Sequence, residues 1–434
     1  MTTHKHLKQL VRARMTKTGE SYATARRHIV RQPIQVSADP ATQWHYPGNV
    51  SATTSLRILL AHAGVRAPHN HAPFSEALLF GVAGGIGMGV FSFFYEKEGF
   101  ASFYIAGRHL WQDDRHYFLQ ACARLGITPK VWDTSGTKAA DRRLANVLED
   151  GPCIAWVDAA HLPHRGMPET WSGGAYHVIT VYAIRGDDAL IGDRSDQPIT
   201  IPRDALRTAR GRITKFRNRL LTVPETHAIP ELKSLVQAGL RACHDGLVDQ
   251  RSTSFTLESL RIWGERLHGS KDKESWERVF APGKRLWRGL VSIYDFIEHY
   301  GTGGGLCRPL FADFLTEAGD ALGDDRLRTL AATYTELGRE WTALAHAALP
   351  DAVPELRRAR ELHDRKAELV AAGGPADEAR EIWTEIAQLE QDADRAFPLD
   401  AAAAAALRAE LQQRVRALYE REKVAHAALG DAVR

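Results

Sequence analysis

The stretch YPGNVSATTSLRILLAHAG, residues 46–64, joins an extended segment containing Pro and Gly to an amphipathic helix predicted over 51–63. Ser51 stands at this junction, at the N-terminus of the predicted helix. The unpaired backbone N–H groups and the helix dipole favour negative charge there, so a nucleophile would be activated and an oxyanion would find donors. Serine is also a preferred N-cap residue, and the local pattern by itself favours that simpler interpretation.

A base for such a nucleophile is found further along the chain. Segments 152–158, 177–184 and 189–193 are rich in β-branched and aromatic residues and predict strands, with a hairpin turn at RGDD (185–188). His177 opens the second strand and Asp193 closes the third, where an acid fixes the tautomer of an imidazole. A regular two-residue hairpin sets His177 opposite Asp196 instead, so Asp193 requires a bulge or a longer turn, and Asp196 is the reserve. A buried structural histidine is an equally good interpretation of His177.

The second half of the chain differs from the first in composition and in hydrophobic periodicity. After Pro230, Leu, Ala, Arg and Glu recur with helical periodicity almost to the end. Helices are predicted at 230–245, 254–268, 282–300, 306–321, 324–349, 353–373, 375–395 and 400–429. The fold class is therefore α+β, with three regions: a basic helical arm (1–32), a mixed domain (33–228) and an all-α domain (229–434).

Nucleophile, histidine and acid follow in the order of papain-like cysteine enzymes. Five segments, taken in order, resemble the N-terminal domain of butirosin biosynthesis protein H: SATTSLRILLAHAG, FSEALLFGVAGGIGMGVFSFFY, FYIAGRHLW, YHVITVYAI and IGDRS. SLRIWGERLHGSKDKESWERVF and IEHYGTGGGLCRPLFADFLTEA resemble the helical domain of unknown function that often follows it. The resemblance covers about residues 45–345. It implies a papain-like fold and transfer of an acyl group from an acyl carrier protein to an amine.

The chain departs from that family at the nucleophile. The resemblance aligns the family's catalytic cysteine with Ser51, and Cys122, Cys153, Cys243 and Cys307 all lie elsewhere. Three explanations remain open: Ser51 is itself a nucleophile, it is a Cys-to-Ser substitution that traps substrate, or covalent chemistry has been lost. A serine hydroxyl ionises far less readily than a thiol, so it needs a stronger base and a better oxyanion hole.

Further candidates lie around Ser51. Asn49, and His45 before it, are candidate side-chain donors to an oxyanion, although Asn before Ser is also a common turn residue. In the resembling family the Gly-rich stretch 81–89 lines the site, which makes Glu76 a candidate ligand for a substrate amine. The histidine pairs 69/71 and 161/164 lack the carboxylate or cysteine spacing of a metal site. No metal and no cofactor is expected.

Charge distribution and composition limit the partners. Residues 1–32 hold eight Lys/Arg and one Glu, a local charge of +7, which leaves −4 for the rest of a chain whose net charge is +3. The basic arm predicts docking of an acidic partner such as a carrier protein or nucleic acid, or else a solvated face on a helix that packs on its own protein. Without CxxC pairs, an apolar signal core or a long apolar run, the chain is predicted to be cytoplasmic with no membrane partner.

The sequence thus predicts an acyltransferase of specialised metabolism. Its acyl donor would be a carrier-protein or other thioester and its acceptor an amine-containing small molecule. The helices after about residue 350 would pair with each other as a hairpin or form the subunit interface of a homodimer. Ser51, His177 and Asp193 would carry the reaction, assisted by Asn49 and Glu76. The alternatives are an amidase or peptidase that uses water as acceptor, and a binding protein without a working nucleophile.

Overall fold

A computed structural model describes residues 2–18, 25–26, 39–224, 228–248 and 252–433. Within these ranges eight strands form two sheets, all with antiparallel pairing. The strands are β1 Ile86–Tyr95, β2 Phe100–Arg108, β3 Lys130–Trp132, β4 Cys153–Asp158, β5 Tyr176–Arg185, β6 Asp188–Gly192, β7 Ile199–Pro202 and β8 Leu220–Thr222. The predicted strands at 152–158, 177–184 and 189–193 correspond to β4, β5 and β6, which form the centre of the larger sheet.

The larger sheet has six strands in the order β3-β8-β4-β5-β6-β7. Every residue of β4 is buried, as a central strand covered on both faces requires. The helices of this part of the chain are α1 Thr2–Thr18, α2 Ser51–His62, α3 Glu76–Val82, α4 Asp114–Arg124, α5 Thr137–Glu149 and α6 Arg203–Arg212. Helix α2 packs across β4 and β5, which brings its first turn to the end of the sheet that carries His177.

The apolar run at residues 75–90 predicts one continuous helix, and this prediction is wrong beyond the first two turns. Helix α3 ends at Val82, and β1 begins at Ile86 and pairs with β2 across a turn at residues 96–99. A Cβ on Gly81 would overlap the ring of Phe314, so this glycine permits close packing of two helices and not a phosphate-binding loop. The segment from 86 onward alternates aromatic and small residues, a strand pattern that an apolar run obscures.

The helical second half is as predicted in outline. Its helices are α7 Leu232–Gly246, α8 Leu257–Arg266, α9 Trp276–Val279, α10 Lys284–Glu298, α11 Arg308–Leu322, α12 Asp325–Ala348, α13 Pro354–Ala372, α14 Ala376–Arg395 and α15 Ala401–Val433. Helices α13 and α14 fold back on each other as a hairpin. Among the residues that the structure describes, no helix combines the length and the apolar composition that crossing a bilayer requires.

One hydrophobic core joins the mixed region to the helical region. It contains residues of α2, α3 and the β1–β2 hairpin together with residues of α7 to α13 and α15. The described part of the basic arm also packs on the helical region, since Val11 and Ala25 contact Ala371, and Arg12 pairs with Glu368 at 2.7 Å. Residues 19–24 and 27–32 of the basic arm and the following residues 33–38 lie outside the described residues.

Candidate active site

Ser51 is the first residue of α2, and the N-cap is Val50, which has no side chain able to cap the helix. The expectation that Ser51 would serve as a local N-cap is therefore wrong. The first intrahelical bond runs from the Thr54 amide to the Val50 carbonyl at 2.8 Å, so the amides of residues 51–53 have no partner within the helix. Ser51 is partly exposed beside these amides, which are the donors an oxyanion requires.

Glu76 supplies the capping group that Val50 lacks. Its carboxylate accepts hydrogen bonds from the amides of Asn49 and Val50 at 2.8 and 2.9 Å, and from Thr54 Oγ1 at 3.0 Å. Helix α3 places this carboxylate because Ser75 caps it, accepting from the Leu78 amide. A carboxylate at a helix N-terminus stabilises that end electrostatically. Because the oxygens are already engaged, a substrate amine would share Glu76 with the backbone that positions Ser51.

Asn49 is held by the same carboxylate. Its Nδ2 donates to Glu76 Oε2 at 2.9 Å, which leaves one amide hydrogen of the side chain for another acceptor. Before it, Gly48 passes so close to α2 that a Cβ would overlap Thr54 Oγ1. His45 is buried further away, with its ring nitrogens 2.7 Å from Tyr182 Oη and 2.9 Å from the Ser195 carbonyl. The two nitrogens of His45 are thus occupied by structural partners.

His177 and Asp193 are brought together, with Nε2 to Oδ1 at 2.6 Å. The hairpin has the two-residue turn at Gly186-Asp187, and its register shifts between Val181 and Ala183. Because side chains alternate between faces, a one-residue shift moves Asp193 to the face that carries His177. The predicted bulge is therefore present. The reserve candidate Asp196 is instead buried in an ion pair with Arg26.

Arg165 was not among the residues that the sequence pattern singled out. It lies in a short 3-10 turn, Pro163–Arg165. Its guanidinium contacts both oxygens of Asp193, from Nε at 2.7 Å and from Nη2 at 2.8 Å, and the same Nη2 lies 2.8 Å from His177 Nε2. The neighbouring His164 places Nε2 2.8 Å from Asp193 Oδ2. The carboxylate of Asp193 is fully buried, and its three ion-pair partners are His164, Arg165 and His177.

Burial and these partners leave the pKa values of both His177 and Asp193 below their ordinary values. Burial lowers the pKa of His177 to about 4, and Arg165 adds to this effect while Asp193 opposes it. Burial raises the pKa of Asp193, but Arg165 and His177 outweigh it and hold the pKa well below its ordinary value. His177 is therefore neutral and Asp193 ionised at neutral pH, which are the protonation states of a base and the acid that orients it.

A second arginine borders the nucleophile position. Arg194 donates from Nη1 to the Asn49 carbonyl at 2.9 Å and has φ of 56°, a left-handed conformation uncommon for a residue other than glycine. Burial lowers its pKa to about 10, with Arg165 contributing and Asp193 opposing. It remains protonated at neutral pH and places positive charge beside the first turn of α2. Strained backbone of this kind is concentrated at functional sites.

The helical region supports the turn that carries Arg165. Trp383 of α14 donates from Nε1 to the Arg165 carbonyl at 3.1 Å. Gly166, with φ of 55°, packs so closely on α14 that a Cβ would lie 2.6 Å from the Cβ of Ala379. Trp383, 218 positions away along the chain, thus supports Arg165. The guanidinium of Arg165 in turn contacts both His177 and Asp193.

Ser51 and His177 do not form a hydrogen bond with each other among the described residues. Both are partly exposed, and the packing of α2 on β5 places them on facing elements.

Three histidines of the two candidate metal-binding pairs contact protein groups: His161 bonds Ser172 at 2.9 Å, His164 bonds Asp193, and His69 lies 3.7 Å from Glu317. Within the described ranges there is no group of three or more His, Cys, Asp or Glu arranged to hold a metal ion.

Comparison with protein families identifies two regions in the chain. The family described as butirosin biosynthesis protein H, N-terminal, matches residues 51–194. Residues 51–194 therefore belong to the butirosin biosynthesis protein H N-terminal family. This butirosin-H domain contains Ser51, Glu76, Arg165, His177 and Asp193, begins at the candidate nucleophile and ends at Arg194. A domain of unknown function, DUF4872, matches residues 204–393 and contains Trp383. No curated protein matches the chain.

Proposed function

We propose that the chain is a papain-like acyltransferase that moves an acyl group from a thioester to an amine. The proposal depends on one observation: Ser51 begins a helix that packs on the strand of His177, and His177 is bound to a buried, ionised Asp193. The match to a family named for butirosin biosynthesis supports the same chemistry.

The proposal gives each group a role. His177 Nδ1 takes the proton of the residue-51 nucleophile as it attacks the thioester carbon; the C–S bond breaks and the thiol leaves with that proton. The amine nitrogen then attacks the acyl-enzyme, a C–N bond forms, the ester C–O bond breaks, and His177 returns the amine proton to the residue-51 oxygen. The amide of residue 51, with the free hydrogen of Asn49 Nδ2, stabilises the oxyanion in both steps.

Charge beside the site supports a carrier-protein donor. Segment 203–219 contains seven Lys/Arg and one Asp, and Arg212, Lys215 and Arg217 are exposed. Lys215 lies over the ring of Tyr176 at 3.6 Å, and Tyr176 directly precedes His177. An acidic carrier protein that docks here by charge complementarity would present its thioester at the end of the sheet.

A second candidate function is a binding protein that has kept the pocket and lost covalent chemistry. The specific observation in its favour is that Ser51 lacks a hydrogen bond to His177 among the described residues. Arg165 can also donate to His177 Nε2, which leaves the proton on Nδ1 and removes the lone pair that a base requires.

Intact mass separates these functions. The protein and its Ser51→Cys and Ser51→Ala variants are incubated with a small acyl thioester, with and without an added amine. An acyl adduct on residue 51 that is released as an amide supports the proposal, and release as free acid without amine identifies a hydrolase. If neither the native protein nor Ser51→Cys gains an adduct while small thioesters still bind, the binding protein is correct.

Docking is tested with the same chemistry. Arg212→Glu and Lys215→Glu should weaken transfer from a carrier-protein thioester and leave transfer from a small thioester unchanged. Arg339→Glu, an exposed site on α12, is the matched control. Equal rates with both donors in the variants would contradict docking on segment 203–219.

A further inference from the structure

Seven aromatic side chains form a continuous strip outside the buried core. We call the following residues the aromatic strip: Phe91, Phe93, Tyr104, Trp111, Phe255, Phe296 and Tyr300. Each is partly or largely exposed, and Phe93 and Tyr300 retain 49% and 43% of their surface. Single exposed aromatics are common, but a contiguous apolar patch on a folded chain marks a binding surface.

The strip is held together by ring contacts. Phe91 stacks on its cross-strand partner Tyr104 with centroids 5.1 Å apart, and Phe93 contacts both rings. Tyr104 contacts Phe296 of α10 at 5.3 Å, and Phe296 contacts Tyr300 at 4.9 Å. The β1–β2 hairpin and the end of α10 therefore build one aromatic surface.

One end of the strip lies at the candidate active site. Tyr300 is followed by a glycine loop in which Gly303, with φ of 68°, packs on Asn49; a Cβ there would lie 2.7 Å from the Asn49 Cβ. Tyr300 also interacts electrostatically with Arg165, the residue that holds His177 and Asp193. The other end, at Phe93, lies near the exposed tip of the hairpin.

The strip is polar at the site and apolar away from it. Its two phenols, Tyr104 and Tyr300, interact with each other electrostatically, and Tyr300 reaches the charged network. Phe91 and Phe93 carry no polar atom. An acyl thioester has the same polarity, with a polar carbonyl at the reacting end and an apolar chain behind it.

We infer that the aromatic strip binds an extended apolar acyl chain of the donor, and so selects long-chain over short-chain acyl groups. The inference rests on the proposed function for the identity of the donor. Each methylene that the rings remove from water should improve binding by roughly fourfold. Aromatic faces suit this task because they bury large apolar area with few rotatable bonds.

The test uses acetyl and octanoyl thioesters of N-acetylcysteamine with the full chain carrying Ser51→Cys. Octanoyl should acylate residue 51 with kcat/KM at least tenfold above acetyl. Phe93→Ala and Phe296→Ala should each lower the octanoyl value by about tenfold and leave acetyl unchanged. Phe94→Ala is the matched control, because Phe94 is exposed on the opposite face of the same strand, near Arg285.

Other outcomes overturn the inference without touching the proposed function. If acetyl and octanoyl react equally, or if the strip variants slow both donors alike, the strip does not select the chain. If those variants change only the sedimentation of the protein, the strip is an interface between copies. If no thioester acylates residue 51, the proposed function fails, and calorimetric binding of an octanoyl amide to the unmodified protein and to Phe93→Ala still decides whether the strip binds the chain.

Discussion

Arg165 Nη2 lies 2.8 Å from His177 Nε2 and 2.8 Å from Asp193 Oδ1. A guanidinium only donates, so its bond to Nε2 requires a lone pair there, whereas the bond from Nε2 to Asp193 requires a proton there. The two neighbours therefore favour opposite tautomers of the neutral ring. Only the tautomer protonated on Nε2 leaves Nδ1 free as a base. Asp193 therefore favours the tautomer that can act as a base, whereas Arg165 disfavours it and also lowers the pKa of His177.

Removing the charge of Arg165 should raise the pKa of His177. The imidazole titrates at about 4 in the folded chain because burial and Arg165 both disfavour its cation. In Arg165→Gln the positive charge is gone while Asp193 remains, so the pKa should rise by on the order of one unit or more. The His177 13Cε1 chemical shift, followed against pH, measures this directly, and the acid limb of any acylation profile should move upward with it.

Two variants control for this change. Arg165→Lys keeps the charge and should leave the His177 titration near its native position, provided that circular dichroism shows a folded chain. Arg212→Gln removes a nearby exposed charge and should have little effect because solvent screens it. A midpoint that stays at its native value in Arg165→Gln would contradict the electrostatic role of Arg165.

Trp383→Phe should alter the site from another domain. The substitution removes the indole N–H that donates to the Arg165 carbonyl but keeps an aromatic ring in the same place. Loss of one such bond should cost the folded state about 1 kcal/mol, while a looser Arg165 should shift the His177 titration toward its ordinary value. Trp171→Phe, in the ring that contacts Trp383, is the control. An unchanged titration would make Trp383 a purely structural residue.

Glu76→Gln should destabilise the first turn of α2. An amide offers one acceptor and one donor group where the carboxylate offers two acceptors, so its NH₂ would face backbone N–H groups that need an acceptor. The free energy of unfolding should fall by about 1–3 kcal/mol in urea denaturation. Glu98→Gln, at the exposed hairpin turn, should change it by far less. Equal stability of the two variants would mean that α2 does not depend on this carboxylate.

Three histidines whose pKa is lowered to about 4 should make the fold sensitive to acid. Burial lowers the pKa of His45, His109 and His177 to about 4 in each case. Between the ordinary pKa of 6.5 and about 4 the unfolded chain binds more protons than the folded chain, so the free energy of unfolding falls as pH falls through this window. Each histidine contributes on the order of 1–3 kcal/mol by pH 4.

Urea denaturation between pH 7 and pH 4 measures this dependence. His109→Gln should flatten the slope by up to one proton, whereas His71→Asn, at an exposed position, is the control. A free energy of unfolding that is constant over this range would show that these histidines titrate normally in the folded chain.

Local pattern was enough for much of the fold and for the central pair of the site. β-branched strands, a turn at Gly186-Asp187 and the spacing of His177 and Asp193 predicted a contact that needs only one hairpin and one bulge. Helical periodicity after Pro230 was equally direct. The β1–β2 hairpin was missed because GVAGGIGMGVFSFFY is apolar throughout, and an apolar run does not by itself distinguish a helix from a strand.

The rest of the site depends on distant contacts. Arg165 lies in an irregular turn, and nothing near it in the sequence shows that Trp383 of α14 holds that turn. Arg194 lies within the segment IGDRS that carries the family resemblance. Its position beside Asn49 depends on a left-handed backbone conformation that the sequence does not predict. Glu76 was identified for a substrate role, whereas its bonds to residues 49, 50 and 54 are a matter of tertiary packing.

The bond from Trp383 to the Arg165 carbonyl has a consequence for how such chains can be recombined. A butirosin-H domain grafted onto a foreign helical partner would keep its own Ser51, His177 and Asp193 and still receive a different proton affinity at its base. The operating pH of the first domain would then be set by the second. Chimeras that exchange only residues 354–395, followed by titration of His177, would test whether the helical region sets the pKa of that histidine.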